Sequence, residues 1–527
     1  MKSIITKQYL KLPVNQEASK KKIEFYSNEQ LVFDLDCRVD MINPRRFHYV
    51  DVRLLLGKEI ELKISPNMEF QLEYVDEIPS EGVYQEVYRP QVHFTVKKGW
   101  INDPNGLFYA NNTYHMFYQY NPASIEWDNM HWGHAISQDL IHWTELETAL
   151  FPDELGTMFS GCAFVDTKND SGLKENENDV ILLYYTAAGN TSKLSFGKKF
   201  TQCLAYSTDN GLTFQKYDKN PVVPHLVGSN RDPKVVYSKE LDQYVMALYL
   251  EESDYILLTS VNLLDWEQLH MVTLANDNEC PDIYPLEVEN EPGVIKWIIS
   301  GASDRYLIGS MDSKKHCFMI QQESKAYRHG ARVSYAAQTF DHTGNRRIKI
   351  AWESVRCPDS PFHSQMSVPC DVSLYHLRNE YYLRTNPVPE LEALRYHERE
   401  MINVEINKDT PWAVSGIDKQ ALDIIFTMNE NSDWFDLSIF GLKMKVDVRA
   451  NRINIGDNKL PLSYTYHNKK LRVIVDTCGF ELFADDGLIY TAENFICDYN
   501  LNSLSITTDS YAKMEEICVY TLKRIWY

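Results

Sequence analysis

The chain has 527 residues, and its 53 Lys plus Arg against 74 Asp plus Glu give a formal net charge of −21. At about 100–200 residues per domain, this length predicts two to four domains. Hydrophobic residues make up 44% of the chain and charged residues 24%, values that exclude general disorder. The acidic balance disfavours a nucleic-acid partner and an anionic membrane surface, because both require a basic face.

The N-terminus, MKSIITKQYLKLPVNQ, has no apolar core of a secretion signal, and no window approaches 18 apolar residues. We therefore expect no membrane span. The ten cysteines contain no Cys-x-x-Cys pair and are scattered along a chain too long to need disulfides. Reduced thiols and a cytoplasmic location are the expectation.

Residues 1–86 are predicted to form a small β domain without catalytic groups. Apolar and charged residues alternate there with period two, which is typical of half-buried strands. The alternating apolar positions are Phe33, Leu35, Cys37 and Val39, then Ile60, Leu62 and Ile64. We expect this domain to pack on the rest of the chain or on a second subunit.

Residues 87–395 show short apolar strands and no long helical periodicity. A turn pattern recurs three times, as a polar turn followed by an aromatic residue that opens the next strand: Ser137–Trp143, Ser207–Phe214 and Ser260–Trp266. Repeated antiparallel sheets with a shared turn favour a β-propeller, although chance similarity of turns is the alternative.

Residues 396–527 read as a second β module. Leu442, Met444, Val446 and Val448 alternate with polar residues, and Asp485-Asp486-Gly487 is a hairpin signal. A β-sandwich fits this length and pattern. The Pro-rich stretch 384–390 is predicted to be the linker. The fold class is therefore all-β.

Three acids, each followed within two residues by a proline, are the candidate catalytic residues. The chain lacks a G-x-S-x-G elbow, a phosphate-binding loop and a dinucleotide fingerprint. His131 and His134 are read as structural, and no metal or cofactor is expected. The acids are Asp103 in WINDPNG, Asp232 in RDPK and Glu279 in NECPD. A propeller brings inner strand ends together, and two carboxyls flanking one bond is the design for glycoside hydrolysis.

At this point the sequence resembles glycoside hydrolase family 32, the β-fructofuranosidases. The resemblance covers about residues 88–525, in matching order and spacing. It is carried by Trp100–Gly106, Phe117–Pro122, Met130–His134, Phe159–Gly161, Arg231–Pro233, Glu279–Pro281, Tyr335–Phe340 and Met366–Pro369. It implies a five-bladed propeller with the active site, followed by a β-sandwich, with residues 1–86 outside that common core.

The resemblance also implies roles. Asp103 would be the nucleophile that attacks the anomeric carbon of a terminal fructosyl group, with donors such as Asn102 keeping its pKa low. Glu279 would be the acid/base, and Asp232 would bind ring hydroxyls and stabilise the transition state. The positions matching the fructose pocket are Asn102, Gln119, Trp127, Phe159, Ser160, Arg231 and Trp352.

The leading interpretation is a retaining β-fructofuranosidase on sucrose and short fructo-oligosaccharides, with a sugar as its partner and a homo-oligomer left open. Sucrose-6-phosphate hydrolysis is one alternative, because Arg328, His329 and Arg332 offer basic groups for a phosphate. Exo-levanase or inulinase activity on longer chains is another, and fructosyl transfer in place of hydrolysis is a third. A catalytically silent fructan-binding protein and a protein-binding scaffold are the remote ones. The chain departs from the family's pattern at 328–334, 353–355 and 362–365, which leaves the leaving-group specificity open.

Overall fold

The computed structural model describes residues 2–65, 72–327, 329, 333–417, 419–466, 469–501 and 503–526. Across these ranges the regular elements are strands and three short 3-10 helices, Arg53–Leu55, Pro389–Leu394 and Asp485–Gly487. The all-β prediction is thus confirmed. Within the same ranges, no helix has the length and apolar character needed to cross a membrane.

The N-terminal strands form two small sheets around one core. Strands β1 to β7 are Lys2–Ile4, Tyr9–Val14, Lys21–Ser27, Gln30–Cys37, Arg46–Asp51, Glu59–Ser65 and Glu73–Val75. The sheet orders are β1-β6-β3-β4 and β5-β2-β7. Phe33, Leu35 and Cys37 of β4 are buried in the shared core, as the alternation predicts. Asp34, between them, is buried on the other face, which packs against loops of the following sheets.

Residues 99–387 form five antiparallel sheets in chain order, here called sheets I to V. Sheet I holds β8 to β11: Gly99–Ala110, Thr113–Asn121, His131–Ser137 and Trp143–Glu145. Sheet II holds β12 to β15: Thr157–Asp166, Val180–Ala188, Thr201–Ser207 and Gln215–Lys216. Sheet III holds β16 to β19: Arg231–Ser238, Gln243–Glu251, Asp254–Ser260 and Glu267–Thr273.

Sheet IV holds β20 to β23: Asp282–Glu287, Ile295–Ser300, Arg305–Asp312 and Cys317–Ala326. The remaining strands of this region are β24 to β29: Ser334–Thr339, Ile348–Glu353, Phe362–His363, Gln365–Met366, Cys370–Leu377 and Glu380–Pro387. Sheet V has the order β24-β25-β28-β29, and β27 also pairs with β25. Strand β26, which lies between β25 and β28 of sheet V in the sequence, pairs in parallel with β8 of sheet I. The chain thus contacts sheet I again before it completes sheet V.

The recurring turn occupies the same place in sheets I, II and III, between the third and fourth strands. At each turn a serine hydroxyl donates to the side-chain oxygen two residues later: Ser137 to Asp139 at 3.0 Å, Ser207 to Asp209 at 2.6 Å and Ser260 to Asn262 at 3.1 Å. That side chain then accepts backbone N–H groups farther along the turn, the Asx-type arrangement that mimics a backbone turn. The weak sequence repeat therefore marks an equivalent turn in consecutive sheets.

The C-terminal strands form two six-stranded sheets. Strands β30 to β41 are Arg395–Asn407, Trp412–Ser415, Leu422–Met428, Trp434–Ile439, Leu442–Asp447, Arg452–Ile455, Asn458–Pro461, Lys470–Asp476, Gly479–Ala484, Ile489–Asn494, Ser503–Thr507 and Tyr511–Leu522. Their orders are β30-β41-β32-β37-β38-β39 and β31-β40-β33-β34-β35-β36, with one apolar core between them. The linker prediction is wrong at its start, because residues 384–387 are the last residues of strand β29. Pro387 can end this edge strand because its missing N–H is not needed for a further hydrogen bond to a neighbouring strand.

Candidate active site

The three predicted acids lie at the beginnings of the first strands of sheets I and III and just before sheet IV. Asp103 is on β8, where the pairing register shifts between Ile101 and Pro104. Asp232 is on β16, where the register shifts between Arg231 and Lys234. Such bulges re-aim a side chain out of the regular alternation. Asp232 has φ +66°, and Glu279 has φ +57°, sparsely populated values that the surrounding contacts hold in place.

Asp103 has a donor on each carboxylate oxygen. The Ser160 hydroxyl donates to Oδ2 at 2.6 Å, and the Asn102 amide donates to Oδ1 at 3.1 Å. The indole N–H of Trp100 donates to Asn102 Oδ1 at 2.9 Å and so fixes the orientation of that amide. Burial nevertheless raises the pKa of Asp103, and the Glu279 charge adds to the rise, while the Ser160 and Asn102 hydrogen bonds only oppose it. The sequence expectation of a lowered pKa is therefore wrong.

Asp232 is buried, with only 3% of its surface exposed. Its backbone N–H donates to Thr186 Oγ1 at 2.8 Å, which anchors the bulge to sheet II. Its Oδ2 lies 3.7 Å from Arg231 Nε. Burial is the largest contribution raising the pKa of Asp232 to about 7; Arg231 opposes this rise, and the charges of Glu279 and Asp103 add to it.

Glu279 is held from both sides of its carboxylate. Arg231 Nη2 donates to Oε1 at 2.8 Å, and the Tyr335 hydroxyl donates to Oε2 at 3.3 Å. The Tyr255 hydroxyl donates to the backbone carbonyl of Glu279 at 3.2 Å. The Glu279 side chain is 31% exposed, so it faces the open side of the cluster while Asp232 lies deeper.

Cys280 joins the three acids into one cluster. Its N–H donates to Asp232 Oδ2 at 3.0 Å, and its thiol lies 3.4 Å from Asp103 Oδ2 and 3.5 Å from Asp232 Oδ2. Because Cys280 directly follows Glu279, its contacts with Asp103 and Asp232 fix the positions of both aspartates relative to Glu279. In the sequence Cys280 is visible only as the neighbour of Glu279, and nothing there indicates that it contacts both aspartates.

The predicted polar pocket residues divide into direct and indirect contacts of the acids. Asn102, Ser160 and Arg231 touch them directly. Gln119 does not, because its amide donates to the Met158 carbonyl at 2.9 Å and so braces the segment that carries Ser160. Thr186 and Tyr335 contact the acids as well. Tyr335 lies in the segment Tyr335–Phe340, which carries part of the family resemblance, whereas nothing in the sequence around Thr186 indicates a role.

The predicted aromatic residues form two groups. The ring of Phe159, beside Ser160, lies 5.8 Å from that of Trp127 and 5.6 Å from that of Phe200, both edge-on. Trp352 belongs to a second group, 5.9 Å from Trp100 and 6.2 Å from Tyr335. Its indole N–H is buried and has no hydrogen-bond partner, so it is available to an acceptor.

Among the described residues, one group has the ligand types for a metal. His93, Glu353 and Glu481 place ligand atoms within 4.8 Å of one another, all buried. Both ring nitrogens of His93 are already engaged, Nδ1 with Asp476 Oδ2 at 2.8 Å and Nε2 with Glu481 Oε1 at 3.1 Å. This cluster is therefore better described as a buried ion-pair network that joins β25 and the segment before sheet I to the C-terminal sheets.

A separate cavity of about 820 Å³ lies between the N-terminal sheets and sheets I and II. It is lined by several aromatic side chains, among them Tyr9, Tyr120 and Phe151. Its charged side chains pair with one another, Arg53 with Asp51 and Glu147, and Lys216 with Asp153. The three predicted acids do not line this cavity, so it is not the candidate active site.

The basic residues proposed for a phosphate can be placed only in part. Arg328 and Arg332 lie outside the described residues. The backbone N–H of His329 donates to the Tyr490 carbonyl at 2.8 Å, and its Nε2 lies 2.9 Å from the Tyr464 hydroxyl. His329 therefore faces C-terminal residues.

Comparison with known proteins agrees with the resemblance read from the sequence. The family model described as "Glycosyl hydrolases family 32 N-terminal domain" matches residues 93–387. Levanase from Bacillus subtilis (strain 168) is 30% identical over 499 residues, which are 84% of this chain and 72% of the levanase. Fructan beta-fructosidase from Streptococcus mutans is 29% identical over 500 residues, so the match spans 85% of this chain but only 34% of that protein.

Solved structures share the fold. Fructofuranosidase from Schwanniomyces occidentalis, complexed with fructose, aligns with a TM-score of 0.73 at 25% identity, covering 84% of this chain and 99% of that one. Exo-inulinase from Aspergillus awamori aligns with a TM-score of 0.73 at 23% identity, covering 84% and 100%.

Proposed function

The chain belongs to glycosyl hydrolase family 32, and we propose that it is a retaining β-fructofuranosidase. It would remove terminal non-reducing β-D-fructofuranosyl groups from sucrose and short fructo-oligosaccharides. We also infer that sheets I to V are five propeller blades. Residues 1–86, 87–395 and 396–527 would then be an N-terminal β domain, the catalytic propeller and a β-sandwich. The observation that carries the proposal is the convergence of Asp103, Asp232 and Glu279 around Cys280.

In the first step, ionised Asp103 attacks the anomeric C2 of the fructosyl group, and the glycosidic C–O bond breaks. Glu279 donates its proton to the departing oxygen, so that the leaving sugar departs as a neutral alcohol. The Ser160 and Asn102 donors orient the attacking carboxylate. The product of this step is a fructosyl ester of Asp103.

In the second step, Glu279 is a carboxylate and takes a proton from water, which attacks C2 and releases Asp103. Two displacements at one carbon give net retention. Asp232 would hold ring hydroxyls throughout, with hydrogen bonds that strengthen as the oxocarbenium-like transition state forms. Arg231 lies beside both Asp232 and Glu279, which suits it to position the acid/base.

The test is a product analysis with the purified chain on sucrose, sucrose-6-phosphate, 1-kestose, inulin and levan. We expect free fructose from sucrose and 1-kestose, released first as the β-anomer, and no loss of activity in EDTA. Asp103→Ala is the matched inactive control. An α-anomer as first product would overturn the nucleophile assignment, and no fructose from any substrate would overturn the proposed function.

Exo-levanase activity is the second candidate. It is favoured by the 30% identity to Bacillus subtilis levanase over 72% of that protein. A higher kcat/KM on levan than on sucrose in the same assay would select it. The chemistry at Asp103 and Glu279 would be unchanged, because only the leaving group differs.

A further inference from the structure

Strand β4 of the N-terminal sheets has a buried polar face. Asp34 is only 7% exposed, although it alternates with core residues and would face water in an isolated β domain. Buried carboxylates are retained where something specific binds them. Two loops, one from sheet I and one from sheet II, cover this face of β4. Each loop is connected to residues of the candidate active site.

The first loop is the segment 189–200 of sheet II. The Asp34 carboxylate accepts the backbone N–H groups of Lys193 and Leu194, each at 2.9 Å, one on each oxygen. The Lys193 ammonium also pairs with Glu24 Oε1 at 2.9 Å. This loop begins directly after β13, whose Thr186 accepts the N–H of Asp232. At its tip Phe196 is 81% exposed.

The second loop is the segment 122–129 of sheet I. Asn129 exchanges two hydrogen bonds with the backbone of Asp36, both at 2.8 Å. Arg38 Nε donates to Glu126 Oε2 at 2.9 Å, and Lys20 pairs with Asp128. Trp127 lies between these anchored positions and is 51% exposed. A large ring held on both sides yet left open to solvent has little conformational freedom to lose when a ligand binds to it.

The two loops meet at Phe159. Its ring contacts Trp127 of one loop and Phe200, at the end of the other. Phe159 precedes Ser160, which donates to the nucleophile Asp103. Trp127 and Phe200, here called the aromatic rim, therefore adjoin the fructosyl site through Phe159, and strand β4 anchors both loops that carry them.

We propose that the N-terminal segment is part of the substrate-specificity apparatus. Through Asp34, and through the pairing of Asp36 with Asn129, it positions Trp127 and Phe200 to stack on the sugar units attached to the terminal fructosyl group. Flat aromatic faces match the C–H faces of a sugar ring, and a rigid ring has little conformational entropy to lose on binding. Asp34 is thus a positioning residue, and the inference rests on the proposed function.

The experiment compares kcat/KM for 1-kestose with kcat/KM for methyl β-D-fructofuranoside, whose leaving group is too small to reach the rim. In Asp34→Ala we expect the ratio to fall roughly 3–10-fold, the scale of a lost aromatic contact. The fall should be in KM for 1-kestose rather than in kcat. Glu59→Ala, an exposed acid in the same N-terminal sheet, is the matched control and should keep the wild-type ratio.

Because each ratio is internal to one variant, a lower folded fraction does not affect it. Phe200→Ala removes the half-buried ring of the other loop and gives a second test, and it should lower the same ratio. An unchanged ratio in both Asp34→Ala and Phe200→Ala would overturn the inference while leaving fructoside hydrolysis intact. A wild-type chain that hydrolyses neither substrate would instead overturn the proposed function, and the inference with it.

Discussion

The backbone N–H and the thiol of Cys280 both point at one oxygen of Asp232, at 3.0 and 3.5 Å. The same thiol lies 3.4 Å from the Asp103 carboxylate. Cys280 is 1% exposed, and burial together with the neighbouring carboxylates raises the pKa of its thiol. A buried, protonated thiol between two acids is a donor and a spacer rather than a nucleophile.

This arrangement predicts that Cys280 resists thiol reagents in the folded enzyme. A position beside Glu279 is compatible with either a reactive or an inert thiol, and the burial of Cys280 favours the inert one. Iodoacetamide followed by peptide mass mapping should label the partly exposed Cys317 first and Cys280 only after unfolding. Rapid labelling of Cys280 with parallel loss of activity would contradict this, with Cys317→Ala as the control that removes the fast phase.

The raised pKa of Asp103 predicts where activity is lost at low pH. Only ionised Asp103 can attack, so kcat/KM should fall as pH drops through a value above the ordinary aspartate range. The Glu279 charge is one cause of the rise. In Glu279→Gln, assayed with an aryl β-fructofuranoside that needs no acid help, the acid limb should move to lower pH. An unmoved limb would show that Glu279 does not act on Asp103.

The ionised Asp232 carboxylate should lower the free energy of unfolding at neutral and alkaline pH. Its pKa is raised to about 7 in the fold, so folding takes up a proton between the unfolded value of about 4 and pH 7. Its contribution is most favourable below pH 4 and is lost as pH rises through 7. Asp232→Asn should therefore raise the Tm at pH 8 but not at pH 4. Equal Tm differences at both pH values would contradict the assignment.

The buried His93 network should stabilise the contact between the region of sheets I to V and the C-terminal sheets. Two carboxylates face its ring, and the hydrogen bonds to Asp476 and Glu481 raise the pKa of His93 against the opposing effect of burial. Its stabilisation is full below about pH 6.5 and is lost as pH rises through the folded pKa. His93→Ala leaves two buried carboxylates unpaired and should cost about 3–5 kcal/mol in the free energy of unfolding.

A half-buried pair gives the matched control for His93. His376 lies 2.6 Å from Glu291 with both side chains partly exposed, so His376→Ala should cost under about 1 kcal/mol. Urea unfolding of the two variants measures both values. Similar losses for the two histidines would mean that the His93 network adds nothing beyond an ordinary surface pair.

The sequence identified the three candidate acids because each lies in a short motif that contains a proline, and such a motif is readable without the fold. It located the core of the N-terminal sheets because period two reports which face of a strand is apolar. It could not identify what covers the polar face, since the contact of Asp34 with Lys193 joins residues far apart in the chain. The same limit hid the role of Thr186. The pKa of Asp103 was misjudged because neighbouring donors are visible in a motif, whereas burial is not.

The role proposed for Glu279 can be tested in each of the two steps separately, since its carboxyl would serve as acid in the first and as base in the second. With sucrose both steps need it, so Glu279→Ala should lose roughly two to four orders of magnitude in kcat. An aryl β-fructofuranoside has a leaving group that departs without a proton, so the first step should recover. The fructosyl ester of Asp103 should then accumulate, because water lacks its base.

Azide needs no base, so it should restore turnover of the aryl substrate in Glu279→Ala and give a fructosyl azide of retained configuration. Asp103→Ala should give no retained azide, because no covalent intermediate can form. Asp232→Ala should be slow on sucrose and aryl substrate alike, since its hydrogen bonds act on the fructosyl ring whatever leaves. Equal losses of Glu279→Ala on both substrates, with no azide effect, would mean that another carboxylate in the cluster is the acid/base.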